Sequence, residues 1–417
     1  MSMENTPKSL RLHLSITGRV NAGKSSLLNL ISGQNTAITS PERGTTTDVV
    51  EKTMELRPVG PVVLLDTAGT DDTSMLGSLR VEKTIAAINR SEAIILVLRN
   101  NEWEEAEKQI VDLAKKRNIP LLSVINIFPG ETVSEEYAIS IRKNSGSPPI
   151  IVNALDFSQR DVFLNKLTSA LIEALPENAV SQTLLNGLLE NDSLVLMMVP
   201  LDIQAPKGRL IMPQIQTIRD ALDKNASVVI AKENAFPQIY SKLSVAPDLV
   251  ICDSQAVDLM TKTTPAGIPH TTFSILMARL KGDLATFARG CAAIEKLRSG
   301  DKILIAEACT HHASDDDIGR KKIPALLKKK TNCDLHFDIA SGLDYPQDLA
   351  SYALIIHCGG CMLNSKAMLN RQQDAIAEKV PITNYGMCIS ACQGVIKEVL
   401  SPFGDALNAY LEELDKI

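Results

Sequence analysis

Aromatic residues make up only 4% of the 417 positions, with a single tryptophan. Cores built without them must be mostly aliphatic, as in α/β proteins. Cysteine is missing from the first 251 residues; all eight fall between Cys252 and Cys392. Any thiol chemistry therefore belongs to the C-terminal part. An excess of positive charge is also missing: the net charge is −6. That argues against broad nucleic-acid binding, which needs a basic face. No apolar run reaches membrane-spanning length. The opening MSMENTPKSL lacks the apolar segment of a secretory signal. A cytoplasmic location is expected, where disulfides are disfavoured.

What is present fits a soluble, multidomain chain. Hydrophobic residues make up 45% and charged residues 22%, and 417 residues exceed one ordinary core. The expected fold class is α/β: a P-loop GTPase domain followed by two further α/β domains with mostly parallel sheets. The expected boundaries are a flexible tail over 1–8, a GTPase domain over 9–175, an α/β dimerisation domain over 180–265 and an α/β cysteine domain over 268–417.

Leu10, Leu12, Leu14 and Ile16 alternate as in a strand. GRVNAGKSS follows, with Gly18, Gly23, Lys24 and Ser25 matching G-x-x-x-x-G-K-[ST]. SSLLNLIS then reads as a helix ending at Gly33. Strand, loop and helix together form a phosphate cradle, because backbone N–H groups at a helix start favour anions. Gly18 and the run Asn21, Ala22, Gly23, Lys24, Ser25 and Ser26 are its expected nucleotide contacts. Lys24 would neutralise the outer phosphates and Ser25 would ligate Mg²⁺. VVLLDTAG delivers Asp66 to a strand end near that metal, and Gly69 offers an N–H to the terminal phosphate. PERGTTTD, residues 41–48, has the look of a switch loop.

These three pieces resemble the translation-factor-related GTPases, in particular the branch with a GTT[TR]D switch. The resemblance implies that Thr46 is the switch threonine on Mg²⁺. It also implies that Asn21 helps hold K⁺ and that GTP hydrolysis is slow and K⁺-stimulated, since Thr70 stands where a water-positioning Gln is usual. The guanine element departs from the pattern. After LLSVI one expects Asn-Lys-x-Asp, but the chain reads NIFPG: Asn126 is kept, while Ile127 and Pro129 replace the Lys and the Asp. VNAL, with Asn153 and Ala154, stands for the usual SAL element. Weakened selection of GTP over other nucleotides is expected.

The middle stretch holds short buried strands at LVLMMVPLDI, ASVVIAK and LVICDS, separated by helical segments such as PQIQTIRDALDKN. It shows no catalytic constellation, and an interaction or dimerisation module is the default. Lys207 and Arg209 read as a solvated turn, and Cys252 as a small buried hydrophobe. TFSILMARLKGDLATFARGCAAIEKL reads as one long helical pattern with Cys291 in its packing face.

The cysteine domain carries C-x-H at Cys309–His311, then 45 intervening residues, then H-C-x-x-C at His357–Cys361. Both motifs follow strand-like runs, KILIAEA and YALIIH. Ligand sites of open α/β sheets form at such strand ends. If the two strands are neighbours, the motifs converge. Three thiolates with nearby histidines suit either Cys₃His zinc or a [4Fe–4S] cluster with a non-cysteine fourth ligand. His311 is spaced to share a face with Cys309 and is a possible fourth ligand. His357, adjacent to Cys358, reads as supporting, and His312 as a hydrogen-bonding residue. Cys333, Cys388 and Cys392 read as packing, the last two also as a possible auxiliary site at i, i+4. Asp315–Asp317 read as a solvated loop.

The ordered set — GTPase motifs, APKGRLIMPQIQTIRDAL, TTFSILMARLKGDL, CxH…HCxxC and VPITNYG — resembles the HydF-type [FeFe]-hydrogenase maturation GTPases over essentially the whole chain. That resemblance implies a homodimeric scaffold. It implies a [4Fe–4S] cluster on Cys309, Cys358 and Cys361 with one exchangeable iron site. It further implies that a diiron precursor with CO and CN⁻ ligands, built by radical-SAM maturases, is held there and delivered to apo-[FeFe]-hydrogenase. The competing expectation is a zinc-stabilised P-loop GTPase with a regulatory or RNA-modification role.

Overall fold

The structure, a computed structural model, describes residues 7–33, 50–69, 77–175, 183–200, 210–308, 318–342, 345–346 and 348–417. The chain divides into two compact units, Met1–Ser181 and Gln182–Ile417.

The first unit is a six-stranded sheet in the order β2-β3-β1-β4-β5-β6. Its strands are β1 (Leu12–Thr17), β2 (Val50–Leu56), β3 (Gly60–Asp66), β4 (Ala93–Arg99), β5 (Leu121–Asn126) and β6 (Ile150–Val152). Only β2 runs antiparallel, against β3. All six residues of β1 are buried, because β3 and β4 flank it and helices cover both faces. The alternation noticed in the sequence therefore does not mark a one-sided strand. Lys8–Leu10 form a 3₁₀ turn, and the strand starts at Leu12. The expected helix forms over Lys24–Ser32 and stops at Gly33, whose φ of 69° places it in the left-handed region.

The second unit holds two four-stranded parallel sheets. One has the order β10-β9-β7-β8, with β7 (Leu194–Met198), β8 (Ser227–Ala231), β9 (Leu249–Cys252) and β10 (His270–Thr272). The other has the order β12-β11-β13-β14, with β11 (Lys302–Glu307), β12 (His336–Ser341), β13 (Leu354–His357) and β14 (Ile382–Asn384). The break expected between 265 and 268 is not a gap in packing. Residues His270–Thr272 pair with Val250–Cys252 and close the first of these sheets. One contiguous apolar core runs from Leu184 to Tyr410 beneath both sheets.

The long helical pattern after residue 271 is two helices, Phe273–Lys281 and Leu284–Ala292. Gly282 is extended between them, and Asp283 caps the second by accepting from the Thr286 amide. Gln372 reinforces the break: its Oε1 accepts from the Asp283 N–H and its Nε2 donates to the Asp283 carbonyl. No helix among the described residues is long and apolar enough to cross a membrane.

Candidate functional site

The phosphate-binding loop lies where β1 hands over to helix Lys24–Ser32. Gly23 has φ of +94°, and a Cβ there would collide with the Asn126 side-chain amide. Asn126 is 2% exposed. Its Nδ2 donates to the Ala22 carbonyl (3.1 Å) and its Oδ1 accepts from the Ala154 N–H (3.0 Å). Asn126 thus ties the phosphate loop at the end of β1 to the loop after β6. Asn126, the position kept from the altered guanine element, is a brace between two nucleotide-site loops.

Lys24, itself buried, donates from Nζ to the Gly18 and Arg19 carbonyls at 3.1 and 2.6 Å. Asp66 stands at the carboxyl end of β3 and is 1% exposed. Its Oδ2 accepts from the Ser25 hydroxyl at 2.8 Å, while its buried Oδ1 has no hydrogen-bond partner among the described residues. Burial raises the Asp66 pKa, and the Ser25 hydrogen bond and the Lys24 cation oppose that rise. A carboxylate held this way beside a hydroxyl fits a Mg²⁺ shell, since the ion would compensate the orphaned oxygen. Gly69 lies against Val20 of the loop. Asn21 is exposed at φ +62°. Ser26 is half-buried in the first helical turn. Asn153 accepts at Oδ1 from the Leu155 N–H (3.0 Å). Thr46 lies outside the described residues.

Two features of this site were not anticipated. Arg19, inside the loop, pairs with Glu102 (3.1 Å) and Glu104 (3.0 Å), and approaches buried Glu107 at 3.9 Å. In the segment where a base-reading Lys and Asp are usual, Ile127 donates its N–H to Val152 and Phe128 donates its N–H to Glu131. The Arg99 guanidinium sits over the Phe128 ring, 5.9 Å from its centroid. Pro129 has no N–H and its side chain accepts nothing.

The second site lies at the carboxyl ends of β11 and β13, which are parallel neighbours with Ala306 opposite His357. Cys358 donates its N–H to the Ala306 carbonyl (2.8 Å), and the Ala308 N–H points at the Cys358 Sγ (3.1 Å). Gly360 has φ of +64° and turns the loop back, so that the Leu363 N–H reaches its carbonyl. Cys309 and His311 lie outside the described residues; Ala308, one peptide bond before Cys309, is at the Cys358 sulfur.

His357 is fully buried. Its Nε2 is 2.7 Å from Arg371 Nη1 and its Nδ1 is 2.8 Å from the Cys358 carbonyl. Arginine can only donate, so Nε2 accepts and the proton is on Nδ1. Burial, with the Arg371 cation second, pushes the His357 pKa down to about 3. Both ring nitrogens are in use, so His357 supports the loop instead of ligating. Arg371 also donates to the Gly342 carbonyl (2.8 Å) and lies over the Tyr345 ring (4.5 Å). Burial lowers its pKa, while Tyr345 and Cys358 act against that shift. Burial raises the Cys361 pKa, opposed by the Lys281 cation and by the backbone N–H groups of Cys361 and Met362. Lys281 is 1% exposed and ends its helix. Nothing in the sequence marked Arg371 or Lys281, since a helical Arg or Lys is ordinarily a solvated one.

The remaining thiols are elsewhere. Cys252 and Cys291 are buried, and Cys291 lies 3.5 Å from the Met387 carbonyl. Cys333 precedes β12 and is 3.4 Å from the Leu297 carbonyl. Cys388 and Cys392 share one helix, Tyr385–Cys392; hydrogen bonding between them raises the Cys388 pKa and lowers that of Cys392. Among the described residues no group of three His, Cys, Asp or Glu side chains is placed to hold a metal ion.

Comparison with known proteins places three family models along the chain. "50S ribosome-binding GTPase" matches residues 13–127, "Hydrogen maturase F dimerization domain" matches 184–282, and "Hydrogen maturase F tetramerization domain" matches 285–402. Among curated relatives, the tRNA modification GTPase MnmE of Carboxydothermus hydrogenoformans is 29% identical over 205 residues, covering 46% of this chain and 44% of that one. MnmE of Synechococcus sp. is 44% identical over 117 residues, covering 27% and 24%. The chain thus spans less than half the length of these relatives. Similar solved structures include Era in complex with MgGDPNP and a stretch of 16S ribosomal RNA (18% identity, TM-score 0.36, covering 54% of this chain and 93% of that chain). Another is NFeoB from S. thermophilus bound to GDP.AlF4⁻ and K⁺ (19%, 0.30, 38% and 61%). The MnmE likeness reaches less than half of this chain, whereas the two maturase models cover most of the second unit. With those two domains following a P-loop GTPase domain, the chain belongs to the HydF-type hydrogenase maturase family.

Proposed function

We propose that this protein is a GTP-hydrolysing scaffold of [FeFe]-hydrogenase maturation in the cytoplasm. In this reading Cys309, Cys358 and Cys361 hold a [4Fe–4S] cluster with one exchangeable iron, to which His311 is a candidate fourth ligand. A diiron precursor carrying CO and CN⁻, made by radical-SAM enzymes, docks there and passes to apo-hydrogenase. Residues 9–175 bind GTP, Mg²⁺ and K⁺, with Ser25 and Thr46 on the magnesium and Asn21 toward the potassium. Residues 180–265 dimerise the chain and residues 268–417 carry the cluster.

The observation that carries this reading is the Ala308 N–H at 3.1 Å from the Cys358 sulfur. It brings the chain immediately before Cys309 to the H-C-x-x-C loop, and N–H···S contacts are the ones that thiolate ligands of clusters receive. Two buried cations, Arg371 near Cys358 and Lys281 near Cys361, suit several thiolates sharing one site. When bound, the cluster would supply an open coordination position. The protein's own part is to present three sulfurs from two strand ends and to keep His357 neutral and out of the shell.

The test is anaerobic purification and reconstitution, with iron, sulfide and zinc analysis. A brown protein absorbing at about 400 nm and bleaching in air is expected. Cys309→Ser, Cys358→Ser and Cys361→Ser should each lose the cluster and hydrogenase activation. Unchanged iron in all three variants, or stoichiometric zinc in a colourless native protein, would sink the assignment and favour the zinc-stabilised GTPase. Hydrolysis measured in K⁺ and in Na⁺, with GTP against ATP in competition, tests the nucleotide half. Faster turnover in K⁺ and weak discrimination between bases are expected.

A further inference from the structure

Arg19 is the second residue of the phosphate loop, and its backbone and side chain face different partners. Its carbonyl accepts from Lys24 Nζ (2.6 Å) and from the Ala22 N–H (3.3 Å), which makes it a seat for the loop's lysine. Its guanidinium reaches out of the loop to the segment after β4. Nη1 is 3.1 Å from Glu102 and 3.0 Å from Glu104, and Nε is 3.9 Å from Glu107. An isolated exposed ion pair would hold little, but several charges on one cation form a network. Here the cation is 20% exposed and the third carboxylate 2%. The gripping segment is itself fixed from behind. Tyr137 Oη lies 2.9 Å from the Arg99 carbonyl and 2.6 Å from the Glu102 carbonyl. Glu107 Oε2 accepts from the Glu104 N–H (2.9 Å) in the capping box of helix Glu105–Lys116, while its Oε1 faces Arg19. Trp103, partly buried, stands between Glu102 and Glu104 in the chain. The sole tryptophan therefore lies within the acidic segment that holds the phosphate loop.

We propose that Arg19 is a positioning residue for nucleotide binding: it clamps the first half of the phosphate loop to the Glu102–Glu107 segment, and through that clamp phosphate occupancy reaches Trp103 and the start of helix Glu105–Lys116. This role presupposes the nucleotide half of the reading above. It adds a second holding point to Asn126, which braces the far half of the loop at Ala22. A phosphate oxygen that draws on Lys24 Nζ competes with the Arg19 carbonyl for one ammonium. The Arg19 peptide then changes its hydrogen bonding, and the carboxylates on its guanidinium respond. Those carboxylates flank Trp103 and cap the helix, so the indole environment changes with occupancy of the loop.

The experiment titrates the full-length chain with a non-hydrolysable GTP analogue and Mg²⁺, following binding by calorimetry and Trp103 emission in parallel. The proteins are the native chain, Arg19→Met, Arg19→Lys, the pair Glu102→Gln with Glu104→Gln, and that pair combined with Arg19→Met. In the native chain the emission should change saturably, with the calorimetric midpoint. Arg19→Met should bind about tenfold more weakly, within the range for coupled sites, and its emission should no longer follow occupancy at saturation. Arg19→Lys keeps the charge without the planar fork and should recover part of both. The glutamine pair keeps Arg19 but removes its two nearest carboxylates, so it should lose the emission change as Arg19→Met does. Adding Arg19→Met to the pair should weaken binding no further than Arg19→Met alone, because both act on one contact.

An arginine that only supports the fold would lower the unfolding midpoint and leave the emission change intact in every variant that still binds, and that pattern overturns the proposal. So does a native chain whose Trp103 emission ignores saturating analogue, or losses of affinity that multiply across the arginine and glutamate changes. If Arg19→Met fails to fold, the glutamine pair decides alone, since its side chains are 35% and 63% exposed. A native emission change in that pair refutes the clamp, and a lost one supports it. A native chain that binds no analogue at all overturns the nucleotide reading itself, which separates that failure from this one.

Discussion

Replacing Asn126 by alanine should uncouple the two loops that it braces. The side chain is 2% exposed and makes two hydrogen bonds to backbone, at 3.1 Å to the Ala22 carbonyl and 3.0 Å from the Ala154 N–H. Truncation leaves a buried acceptor and a buried donor unpaired, each costing about 1–3 kcal/mol before relaxation. A loss of roughly 2–4 kcal/mol in the first unit follows, allowing for partial collapse of the site. The assay is favoured by an accident of composition. The chain has one tryptophan, Trp103, which packs partly buried in a core cluster of the first unit. Selectively excited, its fluorescence during urea unfolding reports on that unit alone. With an m-value of roughly 2 kcal/mol/M, the midpoint should fall by roughly 1–2 M. Asn126→Asp is the sharper variant. It keeps the acceptor for the Ala154 N–H but sets a carboxylate against the Ala22 carbonyl. It should therefore bind a fluorescent GTP analogue more weakly than the native chain. Native midpoints in both variants would refute the brace; native midpoints with a lowered nucleotide affinity would instead mark Asn126 as a base contact.

Four further substitutions have expected outcomes. Gly360→Ala should cost about 1–2 kcal/mol, because its φ of +64° is left-handed and a Cβ would stand 2.5 Å from Met368 Cε. A Cβ at Gly359 meets nothing within 4 Å among the described residues, and Gly359→Ala should stay within about 0.5 kcal/mol of the native value in thermal melts. Gly290→Ala should prevent soluble expression, since its Cβ would collide with the backbone of Ile382 at the start of β14; normal yield and melting would contradict the close helix–strand contact. Asp66→Asn should weaken Mg²⁺-dependent nucleotide binding by roughly 10–100-fold, the range for groups that orient metal ligands. It should also raise the melting temperature of the nucleotide-free chain, because burial works against the ionised carboxylate. That carboxylate's folded pKa is raised, so its ionisation costs stability as the pH climbs above the carboxylate range. Titration calorimetry and melts with and without Mg²⁺ check both halves.

Much of the first unit was legible in the sequence because its motifs are local. A phosphate loop, its helix and the Asp66 strand are each specified by contiguous residues, and the structure joins them through Ser25 and Asp66. The condition for the cysteine motifs to converge, that β11 and β13 are neighbours, was not legible in the sequence and holds in the structure; Cys309 and His311 lie outside the described residues. What the sequence hid depends on contacts far apart in the chain. The role of Asn126 is set by a residue 104 positions away. The break at Gly282 is fixed by Gln372, since the helical periodicity on either side runs through it unchanged. The burial of Arg371 and Lys281 follows from packing alone. The strand His270–Thr272 was too short, and too close to a helix, for its pairing with β9 to show in periodicity.

The continuous apolar interior beneath the two four-stranded sheets bears on how the C-terminal portion can be handled. A cut placed between the sheets would leave each fragment with a raw oily face, and neither would be expected to survive alone. The sheet matched by the dimerization-domain model and the sheet that carries the H-C-x-x-C loop should melt together, so a lesion beside β8 should loosen the loop after β13 without touching it.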